Sequence, residues 1–150
     1  MAAVANPALK ELEALAGLWT VEMAFPAYPS NVVRGHVSFE WLDEGAFLVM
    51  RLPVEKTGPQ SSLWVMGRDD SADTYTVLYF DTRGVSRIYQ MSLEHGEWKM
   101  WRDAPGFSQR YFGTFSEDQN TITARWEKST DGSTWAHDFD MTYSRASART

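Results

Sequence analysis

Trp135-Ala136-His137-Asp138-Phe139-Asp140-Met141-Thr142-Tyr143-Ser144 alternates large apolar or aromatic side chains with small or acidic ones along its whole length. Side chains two apart on a strand point to the same side. The stretch therefore predicts a strand with Trp135, His137, Phe139, Met141 and Tyr143 facing a core, and Ala136, Asp138, Asp140, Thr142 and Ser144 facing water. The same period of two recurs at Trp19, Val21, Met23 and Phe25, and again at Val33, Gly35, Val37, Phe39 and Trp41.

From Gly17 onward the pattern stays in the strand period, and ten strands are expected at about 17–25, 32–42, 45–54, 61–69, 73–81, 84–93, 96–103, 107–116, 119–128 and 134–145. Between them lie Asp43-Glu44-Gly45, Thr57-Gly58-Pro59, Asp81-Thr82-Arg83-Gly84, His95-Gly96, Ala104-Pro105-Gly106 and Thr130-Asp131-Gly132. These residues tolerate positive φ or preset a bend, which suits short turns between antiparallel neighbours. A sequential meander of this kind has no crossover helix, and closing it removes both exposed edges. The fold expected is an all-β, ten-stranded, antiparallel up-and-down barrel occupying residues 1–150 as one domain.

One helix precedes it, over about 7–16: Asn6 is a cap, Pro7 suits the first helical position, and Leu9, Leu12 and Leu15 or Ala16 form an apolar stripe before Gly17. So short a helix is marginal alone and must rest on something, such as one end of a barrel. Leu63-Trp64-Val65-Met66 and the segment from Trp98 to Trp101 are apolar on both faces. Outward Trp64, Trp101 or Phe112 would form an outer apolar patch, from which a homo-oligomer is expected.

Seven Trp, six Tyr and eight Phe in 150 residues supply large rigid side chains to fill an interior or line a pocket. Cysteine is absent, so neither disulfides nor thiolate chemistry enters. Met1 to Asn6 lack the basic segment and apolar run of a secretory signal, no apolar stretch is long enough for a membrane span, and a cytoplasmic location is expected. A net charge of −6 with scattered Lys and Arg argues against nucleic acid or an anionic membrane as the partner.

Leu12-Glu13-Ala14-Leu15-Ala16-Gly17-Leu18-Trp19, a helix running into Gly-x-Trp, resembles the opening of the calycins, the lipocalin and fatty-acid-binding superfamily. Phe39-Glu40-Trp41-Leu42, the run from Tyr79 to Tyr89, Gln109-Arg110-Tyr111 and the run from Trp126 to Gly132 resemble an uncharacterised bacterial family of lipocalin-like proteins. That likeness covers nearly the whole chain and implies a barrel with no established activity. It also implies a structural pair, because in lipocalins a basic residue near the last strand lies across the Gly-x-Trp indole, the role of Arg145 over Trp19 here. Disulfide and signal peptide, usual in extracellular lipocalins, are missing. More distantly the chain resembles the nitrobindin family, ten-stranded barrels that hold haem through a histidine of the C-terminal part. His137 occupies a comparable late strand, although that family's Gly-x-Trp-x-Gly-x-Gly opening is replaced by Gly17-Leu18-Trp19-Thr20-Val21-Glu22-Met23.

Arg87, Tyr89 and Met91 share one face of a strand, Arg102 follows Trp98 and Met100, and Gln109 adjoins Tyr111. If that face is interior, each guanidinium needs a carboxylate, water or an anionic ligand, since an unpaired buried charge is very costly. Asp81, Glu40 and Asp103 are the candidate carboxylates. Arg87-x-Tyr89 also resembles the carboxylate-holding pair of fatty-acid-binding proteins. The candidate ligand is a small hydrophobic or amphipathic molecule, an anion included, with its carboxylate on Arg87 or Arg102 and its apolar body among Trp41, Phe139 and Tyr143. Tyr89, Gln109 and His137 complete the candidate set.

His36, His95 and His137 lack the close spacing of a metal site, so no metal is expected. Asp138 and Asp140 lie about 7 Å apart on the outward face, where solvation keeps them ionised. There is no Ser-His-Asp order, phosphate loop or dinucleotide fingerprint. Three readings follow: a non-catalytic binding barrel, a haem barrel using His137 as its one cofactor ligand, and a structural or interaction protein whose barrel is filled by its own side chains.

Overall fold

In the computed structural model, which describes residues 6–53 and 61–146, the first described element is a capped helix. The Asn6 side-chain oxygen accepts from Ala8 N at 3.0 Å, and Pro7 follows it. The helix spans Pro7–Leu15 and is a 3-10 helix, closing with Ala16 N on Glu13 O at 3.1 Å. A 3-10 helix has three residues per turn, so Leu9, Leu12 and Leu15, spaced three apart, fall in one row. All three are fully buried.

Ten strands follow: β1 (Gly17–Ala24), β2 (Val32–Leu42), β3 (Phe47–Leu52), β4 (Ser62–Arg68), β5 (Tyr75–Asp81), β6 (Ser86–Glu94), β7 (Glu97–Arg102), β8 (Ser108–Phe115), β9 (Thr121–Ser129) and β10 (Ala136–Arg145). Each pairs antiparallel with its sequence neighbours, and β1 pairs with β10, closing the barrel. The expected strands are therefore present, most of them ending one or two residues inside the expected limits, with β6 and β9 running one residue beyond at their C-terminal ends. The turn at Thr57-Gly58-Pro59 lies outside the described residues.

The inward faces of β1 and β2 carry the expected sets, with Trp19, Val21, Val37 and Phe39 buried. Among the strands apolar on both faces, Trp64 points inward and is 6% exposed, whereas Phe112 is outward and exposed. Leu78 and Ile88 oppose one another across β5 and β6, and with Phe80 they form an exposed apolar surface.

One register prediction is overturned. The β9–β10 ladder pairs His137 with Glu127 but Phe139 with Trp126, so Asp138 is the extra residue of a bulge. A single inserted residue reverses the facing of everything on one side of it. Phe139, Met141 and Tyr143 keep the expected inward orientation, while Trp135 and His137 stand outside the barrel. The Arg110 guanidinium lies 4.1 Å from the Trp135 ring centroid, and His137 Nε2 lies 2.8 Å from Asp140 Oδ1 on the same outer surface. Asp138 is carried to the barrel mouth instead of the outer face, so Asp138 and Asp140 do not share a side.

The 3-10 helix plugs one end of the barrel. Tyr75 Oη donates to Ala8 O at 3.0 Å and Trp41 Nε1 to Glu13 Oε2 at 2.7 Å. At its C-terminus Trp19 Nε1 donates to Leu15 O at 2.8 Å, while Arg145 donates from Nη1 to Ala16 O and from Nη2 to Ala14 O, both at 2.9 Å. The Arg145 Cζ sits 4.0 Å from the Trp19 ring centroid. One guanidinium thus satisfies carbonyls that the helix end leaves open and covers the indole implied as its partner. Arg145→Met keeps the aliphatic stem and removes these bonds; urea unfolding should show a loss of about 2–4 kcal/mol with an unchanged m-value. A loss under about 0.5 kcal/mol would mean that the clamp contributes little.

Candidate functional site

With one end plugged, the interior opens at the other into a cavity of about 620 Å³. Its depth is aromatic and thioether: Trp64, Tyr89, Trp126 and Tyr143 with Met50, Met100 and Met141. Its rim is divided. Phe25, Val33, Leu52 and Pro53, on and after β1 to β3, make an apolar lip, and Arg83, Arg87, Phe107 and Gln109 make the lip opposite.

Two turns set that second lip. Gly84 at φ +85° lets the chain return after Asp81, and Gly106 at φ +81° does the same after Pro105; a side chain at either would be strained. The Asp81 turn is held by its own carboxylate, which accepts from Tyr79 Oη at 2.6 Å, Arg83 Nη2 at 2.7 Å and Arg83 N at 2.9 Å. The Gly106 turn, closed by Phe107 N on Ala104 O at 3.1 Å, brings Phe107 to Arg87.

Arg87 is half-buried, with its Cζ 5.5 Å from the Tyr79 ring centroid and 5.1 Å from that of Phe107. Arg102 lies 6.0 Å from the Tyr89 ring. Among the described residues neither has a carboxylate within 4 Å, whereas Arg83 is paired with Asp81 and Lys128 with Asp138. The expected pairing of Arg87 or Arg102 with Asp81, Glu40 or Asp103 does not occur. Tyr89 Oη donates to Gln109 Oε1 at 2.7 Å, which leaves the Gln109 amide N–H groups as donors at the rim.

The phenols stay neutral. Burial, then the bond to Asp81, pushes Tyr79 up to about 12, and burial raises Tyr89, Tyr111 and Tyr143 as well. No phenolate therefore forms near neutral pH to neutralise the two open guanidinium groups. Asp81 is displaced the other way: the Arg83 bond foremost, with Tyr79 and backbone N–H groups, holds it well below the usual carboxylate range.

Of the residues expected at the site, Arg87, Tyr89, Gln109, Phe139 and Tyr143 line this cavity together. Arg102 does not line the cavity but borders an outer groove with Leu78 and Ile88, which Arg87 also reaches, and its Cζ lies 6.0 Å from the Tyr89 ring centroid. Trp41 belongs to the plugged end, bonded to Glu13, and His137 to the outer surface. Sequence reasoning missed Trp64, hidden in a strand apolar on both faces, and Phe107, brought in by a turn. It also missed Trp126, whose signal is its alternation with Ala124 and Ile122.

A histidine-ligated haem does not fit this cavity. His137 is outside, His36 is exposed on β2, and His95 occupies the β6–β7 turn at φ +54°. Among the described residues no group of three or more His, Cys, Asp or Glu side chains is arranged to hold a metal ion. None of their helices is long and apolar enough to cross a membrane.

No family model matches the chain, and no curated protein matches it. Among solved structures it is similar to Rv2717c from Mycobacterium tuberculosis, with a TM-score of 0.67 and 15% identity over 95% of this chain and 99% of that one. At that identity the likeness shows the fold alone.

Because Asp81 loses its proton more readily folded than unfolded, its stabilisation is complete above about pH 4 and is lost as the pH falls through its folded value. Asp81→Asn should lower the melting temperature at pH 7 and make its decline below about pH 4 shallower than in the parent. Parallel declines in the two proteins would assign the acid sensitivity elsewhere.

Proposed function

We propose that this chain is a non-catalytic, lipocalin-like binding protein whose barrel receives a small amphipathic anion through its open end. The observation that carries the reading is Arg87: a cation at the rim of an aromatic cavity, flanked by two rings and without a carboxylate partner among the described residues. Holding a half-buried guanidinium unpaired is costly. A bound carboxylate or sulfonate offsets that cost and accepts two parallel hydrogen bonds from the guanidinium edge, with the Gln109 amide as a further donor.

The volume favours binding over a filled barrel, since about 620 Å³ lies within the usual range for small-molecule pockets. The polar groups favour binding over catalysis. Ser62 Oγ is occupied, donating to Leu52 O at 3.2 Å and accepting from Trp64 Nε1 at 3.0 Å, and no histidine faces it. The haem reading loses its ligand with the outward turn of His137.

The test uses 1-anilinonaphthalene-8-sulfonate as the probe, an amphipathic anion whose emission rises in apolar surroundings. The protein should give a saturable, one-site rise, and Arg87→Met should weaken it roughly tenfold to a hundredfold, the scale of a charge-assisted hydrogen bond. The melting temperature of the variant should stay within a few degrees. Equal affinity in parent and variant removes Arg87 from the site.

A further inference from the structure

Resting on that reading of the cavity, we infer that its occupant is a flat, rigid aromatic acid of two or three rings, and not a flexible acyl chain. The inference comes from the arrangement of the wall. From the Phe25 lip towards the Arg87 lip, Phe25 and Phe139 have centroids 4.9 Å apart with planes turned by 30°, Phe139 and Trp126 6.4 Å and 29°, Trp126 and Trp64 6.0 Å and 37°, and Trp64 and Tyr89 5.4 Å and 32°. Each ring is rotated by a similar small step from the one before, and the row runs along β10 and β9 and then crosses the interior to Trp64 on β4 and Tyr89 on β6 as a fan.

Tyr79 stands edge-on beside this row, at 69° to Trp64 and 84° to Tyr89, and edge-on contacts are also common at the plugged end. Trp19 meets Tyr143 at 86° and Phe115 at 81°, and Trp98 meets Phe39 at 68° and Tyr111 at 69°. Edge-to-face contact is how aromatic rings fill a core with one another. In the fan, a flat guest can lie nearly parallel to one or two neighbouring rings.

The remainder of the wall points the same way. Met23, Met50, Met100 and Met141 contribute thioethers, which favour aromatic neighbours and adapt to their outline. Branched aliphatic side chains are few, with Val33 and Leu52 both at the rim. A well-placed ring contact adds up to about tenfold in affinity beyond area burial, and a rigid ligand loses less conformational freedom on binding than a chain. The fan ends at Tyr89, whose hydroxyl is bonded to Gln109 and whose ring has Arg102 beside it, with Arg87 also on the lip. A guest lying along Phe139, Trp126 and Trp64 thus brings an acidic group at its end to the cations.

Isothermal titration with 2-naphthoate and undecanoate isolates shape, because each has eleven carbons and one carboxylate. Area burial alone favours undecanoate, which has more apolar surface to remove from water. The expected result is the reverse: 2-naphthoate bound at least tenfold more tightly, with Phe139→Leu, and Trp126→Leu as a second variant, cutting that ratio of affinities at least threefold. Undecanoate binding as tightly as 2-naphthoate or more so overturns the ring inference and leaves the anion site standing. A preference unchanged in both variants also overturns it. If neither acid binds at millimolar concentration, the ring inference and the reading of the barrel as an anion receptor fail together.

Discussion

The stacking of Arg145 on Trp19 is the constraint from which the rest of the molecule follows. It joins the last strand to the first at the end where the 3-10 helix terminates, and the same guanidinium bonds two of that helix's free carbonyls. Neither partner suffices alone. A 3-10 helix of nine residues does not persist unsupported, and the β1–β10 seam is the most distant contact in sequence that the barrel must make. Fastening both at one point fills one end with Leu9, Leu12, Leu15, Trp19 and Trp98, all fully buried. Interior volume then remains only toward the opposite mouth, where the barrel's polar lining collects.

At that mouth two kinds of cation coexist, and their surroundings assign different tasks. Arg83 follows Asp81 within a turn, and the carboxylate there already serves Tyr79 and a backbone N–H, so the group fixes the loop. Arg87 stands on a strand, beyond reach of that carboxylate, between rings that lie against the guanidinium without consuming its N–H donors. The chain as a whole carries −6, which repels anions at long range. Screening confines that repulsion to about 8–10 Å at physiological salt, so the proposed capture of an anion would rest on short-range hydrogen bonds at the lip and on apolar burial behind it.

Much of this was legible from local pattern. Alternation located the ten strands, turn residues located most of the breaks, and the Gly-x-Trp resemblance paired Trp19 with Arg145. Arg87, Tyr89, Gln109, Phe139 and Tyr143 meet because they share the inward face on neighbouring or facing strands, which a period of two reveals. What periodicity cannot give is height along the barrel axis. Trp41 faces inward as expected, yet at the plugged end, where Glu13 takes its indole N–H. Strand stagger sets that height, and no local residue pattern encodes stagger. Trp64 was hidden for a different reason, since a strand apolar on both faces does not reveal which face is inside.

The bulge at Asp138 was the largest departure, and its consequence is chemical as well as geometric. In an unbroken β10, an imidazole would face the cavity and a carboxylate the solvent; one extra residue exchanges them. The outward imidazole finds Asp140, and the inward carboxylate finds Lys128 at 3.5 Å on the adjoining strand. Because Lys128 and Asp138 neutralise one another, the new carboxylate does not cancel the charge on Arg87 across the mouth. The exchange therefore removes a ring nitrogen capable of binding metal from the interior while preserving the lip's excess of positive charge. On the proposed reading, a cavity shaped in this way would select its occupant by charge at one end and by ring contact along its length.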